Sequence, residues 1–275
     1  MKTWFITGSS SGIGKGIAKA VLEKGDNAVV MARDKKKLDD LVQAYPEQTL
    51  ALSLELTDKK SIQNAVKAAE ARFGVIDVLV NNAGHGYRAA IEEGENESVE
   101  ELYGTNVFGP VELFRLILPQ MRKRRSGAII NLSSIAAVSS GAGSGYYAST
   151  KAALELLSDA LYQEVSPLGI KVMVVEPGAF RTRFFDDSLK GTKVKIEDYA
   201  GTAGKRRKEN IMNHHDQPGD PDKGGRLIVE TIEKENYPRI LVMGSDAVSF
   251  VKSVYERKLN ELEAWEKISM QSNFE

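Results

Sequence analysis

The chain contains no cysteine, which excludes a disulfide framework, thiolate metal sites and a thiol nucleophile. It has only three histidines. His214 and His215 are adjacent and His85 stands alone, none with carboxylates at metal-ligand spacing, so no metal site is expected. Net charge is also missing: 37 basic against 38 acidic residues leave −1. No global field then draws the chain to nucleic acid or to an anionic membrane, and neither is expected as a partner. No apolar run approaches the roughly 20 residues that a membrane-crossing helix needs. Met1-Lys2 passes straight into the β-rich run Thr3-Trp4-Phe5-Ile6, so no cleavable leader is expected and the expected location is cytoplasmic.

What the 275 residues do contain is an ordinary globular balance, 42% hydrophobic and 27% charged. Short runs rich in Ile, Val and Leu fall at about 3–7, 27–32, 49–54, 76–80, 127–132, 170–175 and 239–243. Nearly continuous apolar runs of this length are strands buried on both faces. Helical periodicity fills the gaps at about 12–24, 35–44, 58–73, 98–123, 147–166 and 220–235. Strict alternation of this kind predicts an α/β fold, one doubly wound domain over 1–275 with a seven-stranded parallel sheet and helices on both faces. Gly25 is placed to end the first helix and Asp58 to cap the third. A polar, basic stretch over about 184–219 is expected to be an irregular, lid-like segment. An amphipathic C-terminal helix is expected over about 245–268. Two basic runs, Arg122-Lys123-Arg124-Arg125 and Lys205-Arg206-Arg207-Lys208, are read as solvated helix ends or loops.

The first strand runs into Thr7-Gly8-Ser9-Ser10-Ser11-Gly12-Ile13-Gly14 and then a helix. Gly8 allows the tight exit, Gly12 lets backbone approach a pyrophosphate, and Gly14 lets helix and sheet pack closely. With the free N–H groups of the helix start, Gly8, Ser10, Ser11, Gly12, Ile13 and Gly14 form a candidate dinucleotide-phosphate cradle of Rossmann type. The second strand ends at Arg33 rather than at the acidic residue that accepts bonds from an unmodified ribose. A guanidinium suits a ribose 2′-phosphate, with Ser9 and Ser10 as further donors, so NADP(H) is expected ahead of NAD(H). Asp34 follows, either paired with Arg33 or turned to the ribose.

Tyr147 and Lys151 are four residues apart and so share one helix face, which Tyr146 does not. An ammonium beside a phenol favours the phenolate and tunes the Tyr towards acid–base work. The spacing alone is common on surface helices. It gains meaning from its company: the glycine turn, Asn81-Asn82-Ala83-Gly84, Ser134, Tyr147-x-x-x-Lys151 and Pro177-Gly178 occur in that order. Together over about residues 3–245 they resemble the short-chain dehydrogenase/reductase family, with the nearest likeness to hydroxysteroid- and retinol-dehydrogenase-like members.

That resemblance implies an oxidoreductase moving a hydride between NADP(H) and a carbonyl or alcohol. It implies that Tyr147 is the acid–base, that Lys151 lowers its pKa and binds the nicotinamide ribose, and that Ser134 bonds the reacting oxygen. Ser133 is the neighbouring alternative, but strand alternation sends it to the other face. Asn106 matches the family position that holds a proton-relaying water. Asn81, Asn82, Ala83 and Gly84 would meet the adenosine half, Glu55 and Leu56 the adenine edge, and Pro177, Gly178 and Thr182 the nicotinamide. Glu55 departs from the usual Asp. His85 and the aromatics Tyr87, Phe180, Phe184 and Phe185 would border a lipophilic substrate site. A homodimer or homotetramer through the helices around 98–123 and 147–166 is implied as well. Two other readings weigh less. A catalytically silent NADP(H) sensor would lose the Tyr or the Lys, and a sugar-nucleotide epimerase has a tighter turn and a longer C-terminal region.

Overall fold

Strand β1 (Thr3–Ile6) shows how the molecule is layered. Its side chains alternate between faces: Trp4 and Ile6 join one core, Phe5 the other, and all are fully buried. The computed structural model describes residues 1–184, 188–207 and 216–274. After β1 come α1 (Gly12–Glu23), β2 (Asn27–Ala32), α2 (Asp39–Ala44), β3 (Thr49–Ser53), α3 (Lys59–Phe73) and β4 (Val78–Asn81). Then follow β5 (Gly86–Arg88), α4 (Asn96–Tyr103), α5 (Gly109–Arg124), β6 (Gly127–Leu132), α6 (Gly145–Val165) and β7 (Ile170–Pro177). The chain finishes with β8 (Leu189–Gly191), α7 (Pro221–Glu233), β9 (Ile240–Met243) and α8 (Ser245–Ser269).

Seven strands form one parallel sheet in the order β3-β2-β1-β4-β6-β7-β9. This is the doubly wound sheet expected from the alternation. On one face, Ile17 and Val21 of α1 and Ile228 and Ile232 of α7 pack on Trp4, Ile6, Val30 and Ile130. On the other, α3, α5 and α6 bring Ile62, Leu113, Ile117 and Leu154 onto Phe5, Val29 and Ile129. Each such fully buried side chain contributes roughly 1.5–3 kcal/mol relative to exposure. Helices α1 and α7 touch at glycine: a Cβ on Gly16 would lie 2.2 Å from the Pro221 carbonyl oxygen, and one on Gly225 2.2 Å from the Gly16 carbonyl carbon.

The caps agree with the sequence reading. Gly25 adopts φ +90° just after α1, and the Asp58 carboxylate accepts the Lys60 N–H at 2.9 Å to start α3. The helix expected over 98–123 is instead α4, a π-helical turn at Gly104–Phe108 and α5. Such a turn inserts one residue per helical repeat and re-aims the side chains within it. The segment expected to be irregular carries structure too. β8 pairs in parallel with β5 as a separate two-stranded sheet, and Phe180 bridges Gly219 to close the base of the excursion. Among the described residues, no helix is long and apolar enough to cross a membrane.

The first basic run ends α5, as expected, with Arg124 bonding the Ile76 carbonyl at 3.0 Å and Arg125 the Pro167 carbonyl at 2.9 Å. In the second, Lys205 and Arg206 are exposed as expected, but Arg207 is not left to solvent. Arg207 pairs with the fully buried Glu93 carboxylate at 2.5 Å, while Lys205 and Arg206 line the cavity described below. That pairing, with the Ile196 and Ala90 N–H groups, holds the Glu93 carboxyl down at about 2. Lys208, Phe185 and His214-His215 lie outside the described residues.

Candidate active site

The sheet order reverses between β1 and β4, and loops leaving those two strands diverge to leave a crevice at their carboxyl ends. A cavity of about 910 Å³ opens there and runs from Gly8 and Arg33 at one end to Arg88 and Phe184 at the other. Every candidate in the glycine turn that was expected to face a nucleotide, Gly8, Ser10, Ser11, Gly12 and Ile13, lines it, apart from Gly14. Gly14 acts as predicted from below: a Cβ there would sit 2.2 Å from Asn82 Nδ2 and 2.4 Å from the Gly8 oxygen. Gly12 has φ +58° and faces Thr182, whose Cγ2 would be 2.9 Å from an added Cβ. Ser11 makes no side-chain cap bond at the N-terminus of α1, and among the described residues its N–H groups remain available to an anion.

Thr7 and Asn82 hold this turn in shape. Thr7 Oγ1 accepts the N–H groups of Asn82 and Ala83, each at 3.0 Å, and Asn82 Nδ2 donates to the carbonyls of Thr7 and Gly8 at 2.9 Å. Two expectations need correction. Ser9 is fully buried and donates to the Ile6 carbonyl at 2.7 Å, so it supplies no donor to the cavity. Asn81 points into the core and donates to Asn131 at 2.8 Å, which leaves the lining role to Asn82, Ala83 and Gly84.

Arg33 lines the far end and makes no ion pair among the described residues. Asp34 settles its own alternatives by capping a 3-10 turn, its carboxylate accepting the Lys36 N–H at 3.1 Å. Glu55 and Leu56 are at the cavity wall, but Glu55 Oε1 is engaged by Thr57 N and Oγ1 at 3.1 and 2.9 Å.

At the other end, α6 delivers Tyr147 and Lys151 buried and on one face, whereas Tyr146 turns away to donate to the Ile91 carbonyl at 2.6 Å. Burial raises the Tyr147 pKa, opposed by a hydrogen bond from Ser134 and then by the charge of Arg88. The sequence reading gave that second part to Lys151. Its ammonium instead donates to the Leu132 carbonyl at 2.8 Å and lies 5.8 Å from the Tyr147 ring centroid. Burial lowers Lys151 itself to about 8, against the pull of Glu155.

Asn106 sits in the π-helical turn, buried, with Nδ2 donating to the His85 carbonyl at 2.9 Å and Thr150 at 3.1 Å, and Oδ1 accepting the His85 N–H at 3.1 Å. A Cβ on Gly84 would be 3.0 Å from Asn106 Oδ1 and 3.4 Å from Lys151 Nζ, so these three residues converge. Ser133 turns away from Tyr147, as alternation required, and donates to Glu155 at 2.5 Å. Pro177, Gly178 and Thr182 line the cavity near Phe184, whose ring centroid is 5.7 Å from that of Tyr147. His85 borders the cavity with neither ring nitrogen partnered among the described residues, and burial lowers its pKa. Tyr87 is not at the mouth: it is 1% exposed, packed with Leu102, and donates to Glu95 at 3.2 Å. Its neighbour Arg88 takes the cavity side instead, and nothing in the sequence reading singled it out.

Near Glu155, whose charge also reaches Lys151, lies a carboxyl with no partner among the described residues. Glu176 is fully buried on β7, neither oxygen is bonded among the described residues, and burial with the nearby Glu155 raises its pKa to about 7. Well below pH 4.5 the group is protonated folded or unfolded and adds no pH-dependent cost. As pH rises to about 7 the unfolded chain ionises while the folded one holds the proton, so stability is lost, by up to about 3 kcal/mol. The stability of Glu176→Gln relative to the parent should therefore rise between pH 4 and pH 8 in urea titrations. Equal differences at both values would refute this account.

The chain matches the short chain dehydrogenase family over residues 2–193. It belongs to that family. It is 33% identical over 272 residues to oxidoreductase BOA17 of Botryotinia fuckeliana, covering 98% of this chain and 99% of that one. It is 36% identical over 235 residues to a 3-ketodihydrosphingosine reductase of Bacteroides thetaiotaomicron, covering 85% and 84%. A crystal structure of a short-chain dehydrogenase from Streptomyces avermitilis superposes with a TM-score of 0.92 at 42% identity, covering 99% of this chain and 98% of that one. This short-chain dehydrogenase is thus an oxidoreductase on a nucleotide-binding fold.

Proposed function

We propose that this protein reduces a carbonyl group with NADPH, or runs the reverse reaction, with Tyr147 as the proton donor and acceptor. The observation that carries the reading is the convergence of Ser134 on Tyr147, with Lys151 and Asn106 behind it, in a cavity continuous with the glycine turn. The glycine cradle, Arg33, Asn82, Ala83 and Gly84 would hold the phosphates and adenosine half of the nucleotide. Pro177, Gly178 and Thr182 would hold its nicotinamide. When bound, that cofactor supplies or accepts the hydride.

The protein's share is position and proton. Ser134 fixes the reacting oxygen beside Tyr147, and Tyr147 Oη gives it a proton in reduction. Lys151, anchored by the Leu132 carbonyl, has its ammonium ready for ribose hydroxyls. Asn106, pinned by His85 and Thr150, keeps a polar route from Lys151 towards Gly84. Phe180, Phe184 and Ile135 make the substrate end partly apolar, which favours a lipophilic group beside the carbonyl. Exposed Phe108, Leu156 and Leu157 on the α5 and α6 side fit a homo-oligomer through those helices.

A panel of ketones and alcohols assayed with both nicotinamide cofactors, read by absorbance, tests the reaction class. No turnover of any member would sink it. For the cofactor, Arg33→Asp should reverse charge at the ribose end and shift the NADP(H)/NAD(H) efficiency ratio by about 10- to 100-fold towards NAD(H). An unchanged ratio would remove Arg33 from cofactor choice.

A further inference from the structure

The substrate end of the cavity is more basic than a site for neutral ketones requires. The reasoning that follows rests on the reading of that cavity as a carbonyl-reducing site. Strand β5 alternates Tyr87 into the body and Arg88 into the cavity. Arg88 Nη1 donates to Ser144 Oγ at 2.8 Å, and Ser144 is itself buried three residues before Tyr147. Arg88 Nε is buried with no hydrogen-bond partner among the described residues. Burying an unpaired guanidinium nitrogen is costly unless something completes it.

The cavity's own carboxylates do not. Glu101 is taken by Lys190 at 2.6 Å, and Asp246 accepts the Ala179 N–H at 2.8 Å. Arg206, turned into the cavity from the segment after β8, adds charge of the same sign close enough to press on Arg88. Burial and that neighbour lower the Arg88 pKa, while the negative charge of an ionised Tyr147 raises it. Among the described residues, two cations thus act on one another with no carboxylate paired to either, beside the group that handles the proton.

We propose that Arg88, with Arg206 at the mouth, forms an anion subsite that selects carbonyl substrates carrying a carboxylate. With Nη1 donating to Ser144 and Nε buried, Nη2 is the donor left to a substrate carboxylate, with the charge of Arg206 acting in the same direction. Phe184 packs against the Tyr147 ring, so the same substrate carries an apolar or aromatic group beside its carbonyl. The substrate class is therefore an aryl or alkyl keto acid rather than a neutral or amine-bearing ketone.

Two measurements test this. In the first, kcat/KM with NADPH is compared for benzoylpropionate and benzoylbutyrate against their methyl esters. At least one acid should exceed its ester about tenfold to a hundredfold. Arg88→Met should collapse that ratio towards one, mainly through KM, and Arg88→Lys should retain part of it. Equal handling of acids and esters by the parent enzyme overturns the proposal. So does an Arg88→Met effect that lowers both in proportion, which would place Arg88 as a modulator of Tyr147 alone. In the second, binding of phenylbutanoate and phenylbutanol is measured by calorimetry, which needs no turnover. Tighter binding of the acid supports the subsite even if every ketone proves inert and the reaction class fails. Equal binding overturns the subsite even if neutral ketones are reduced.

Discussion

Tyr147→Phe is expected to lower kcat by about 10³-fold or more while the protein still binds its nucleotide. The substitution keeps the ring that packs against Phe184 at 5.7 Å and removes only the hydroxyl that Ser134 bonds. Fold and cavity shape should therefore survive. What disappears is the proton donor at the substrate oxygen, which neither Ser134 nor Lys151 can replace. Ser134 is a hydroxyl with no buried base of its own, its Oγ accepting the Ala136 N–H at 3.2 Å, and the Lys151 ammonium is anchored at the Leu132 carbonyl with its remaining donors assigned to the ribose. Rapid-mixing and steady-state rates with the best ketone of the panel, beside nucleotide binding by fluorescence, separate the two effects. Activity within tenfold of the parent would mean that another group carries the proton.

Gly225→Ala is expected to destabilise the fold by about 4 kcal/mol or more, a large loss for one methyl group. The new carbon would lie 2.2 Å from the Gly16 carbonyl carbon and 2.3 Å from the Ile17 nitrogen. Both are backbone atoms inside α1, so no rotamer change relieves the contact and the helices must separate. Separation would also lift α1 from Ile228 and Ile232 and shift the Gly12–Gly14 turn at its N-terminus. Weaker nucleotide binding should accompany the lower urea midpoint. Gly201→Ala is the control, because nothing lies within 4 Å of its Cβ position. A variant at Gly225 as stable as that control would show that the two helices part at little cost.

The sheet was legible because each of its strands is a short run that local composition can mark. The seven runs, their parallel arrangement and the glycine turn follow from residues close in sequence. Tyr147, Lys151 and Ser134 were legible for a different reason: their spacing repeats a pattern that a whole family shares. What escaped was set by long-range contacts. β5 and β8 are three residues each and exist only as partners, so neither shows periodicity. The π-helical turn around Asn106 depends on the bonds to His85 and Thr150 rather than on composition. Arg88 had no local signature either, since only the pairing of β5 turns it inward and Tyr87 away. The second basic run looked like a solvated loop because the buried Glu93 that draws Arg207 in lies 114 residues earlier.

The Phe180–Gly219 bridge has a bearing on how such a protein diversifies. Arg181 N donates to the Gly219 carbonyl at 2.8 Å and Gly219 N to the Ala179 carbonyl at 3.0 Å, so the chain leaves and rejoins the body at one point. Whatever is threaded between those ends can be lengthened, shortened or exchanged without altering the register of any strand in the main sheet. Arg206 and Phe184 belong to that exchangeable stretch, whereas Arg88, Tyr147, Lys151 and the glycine turn do not. The share of substrate preference carried by that stretch can therefore be inherited separately from the chemistry performed on the substrate.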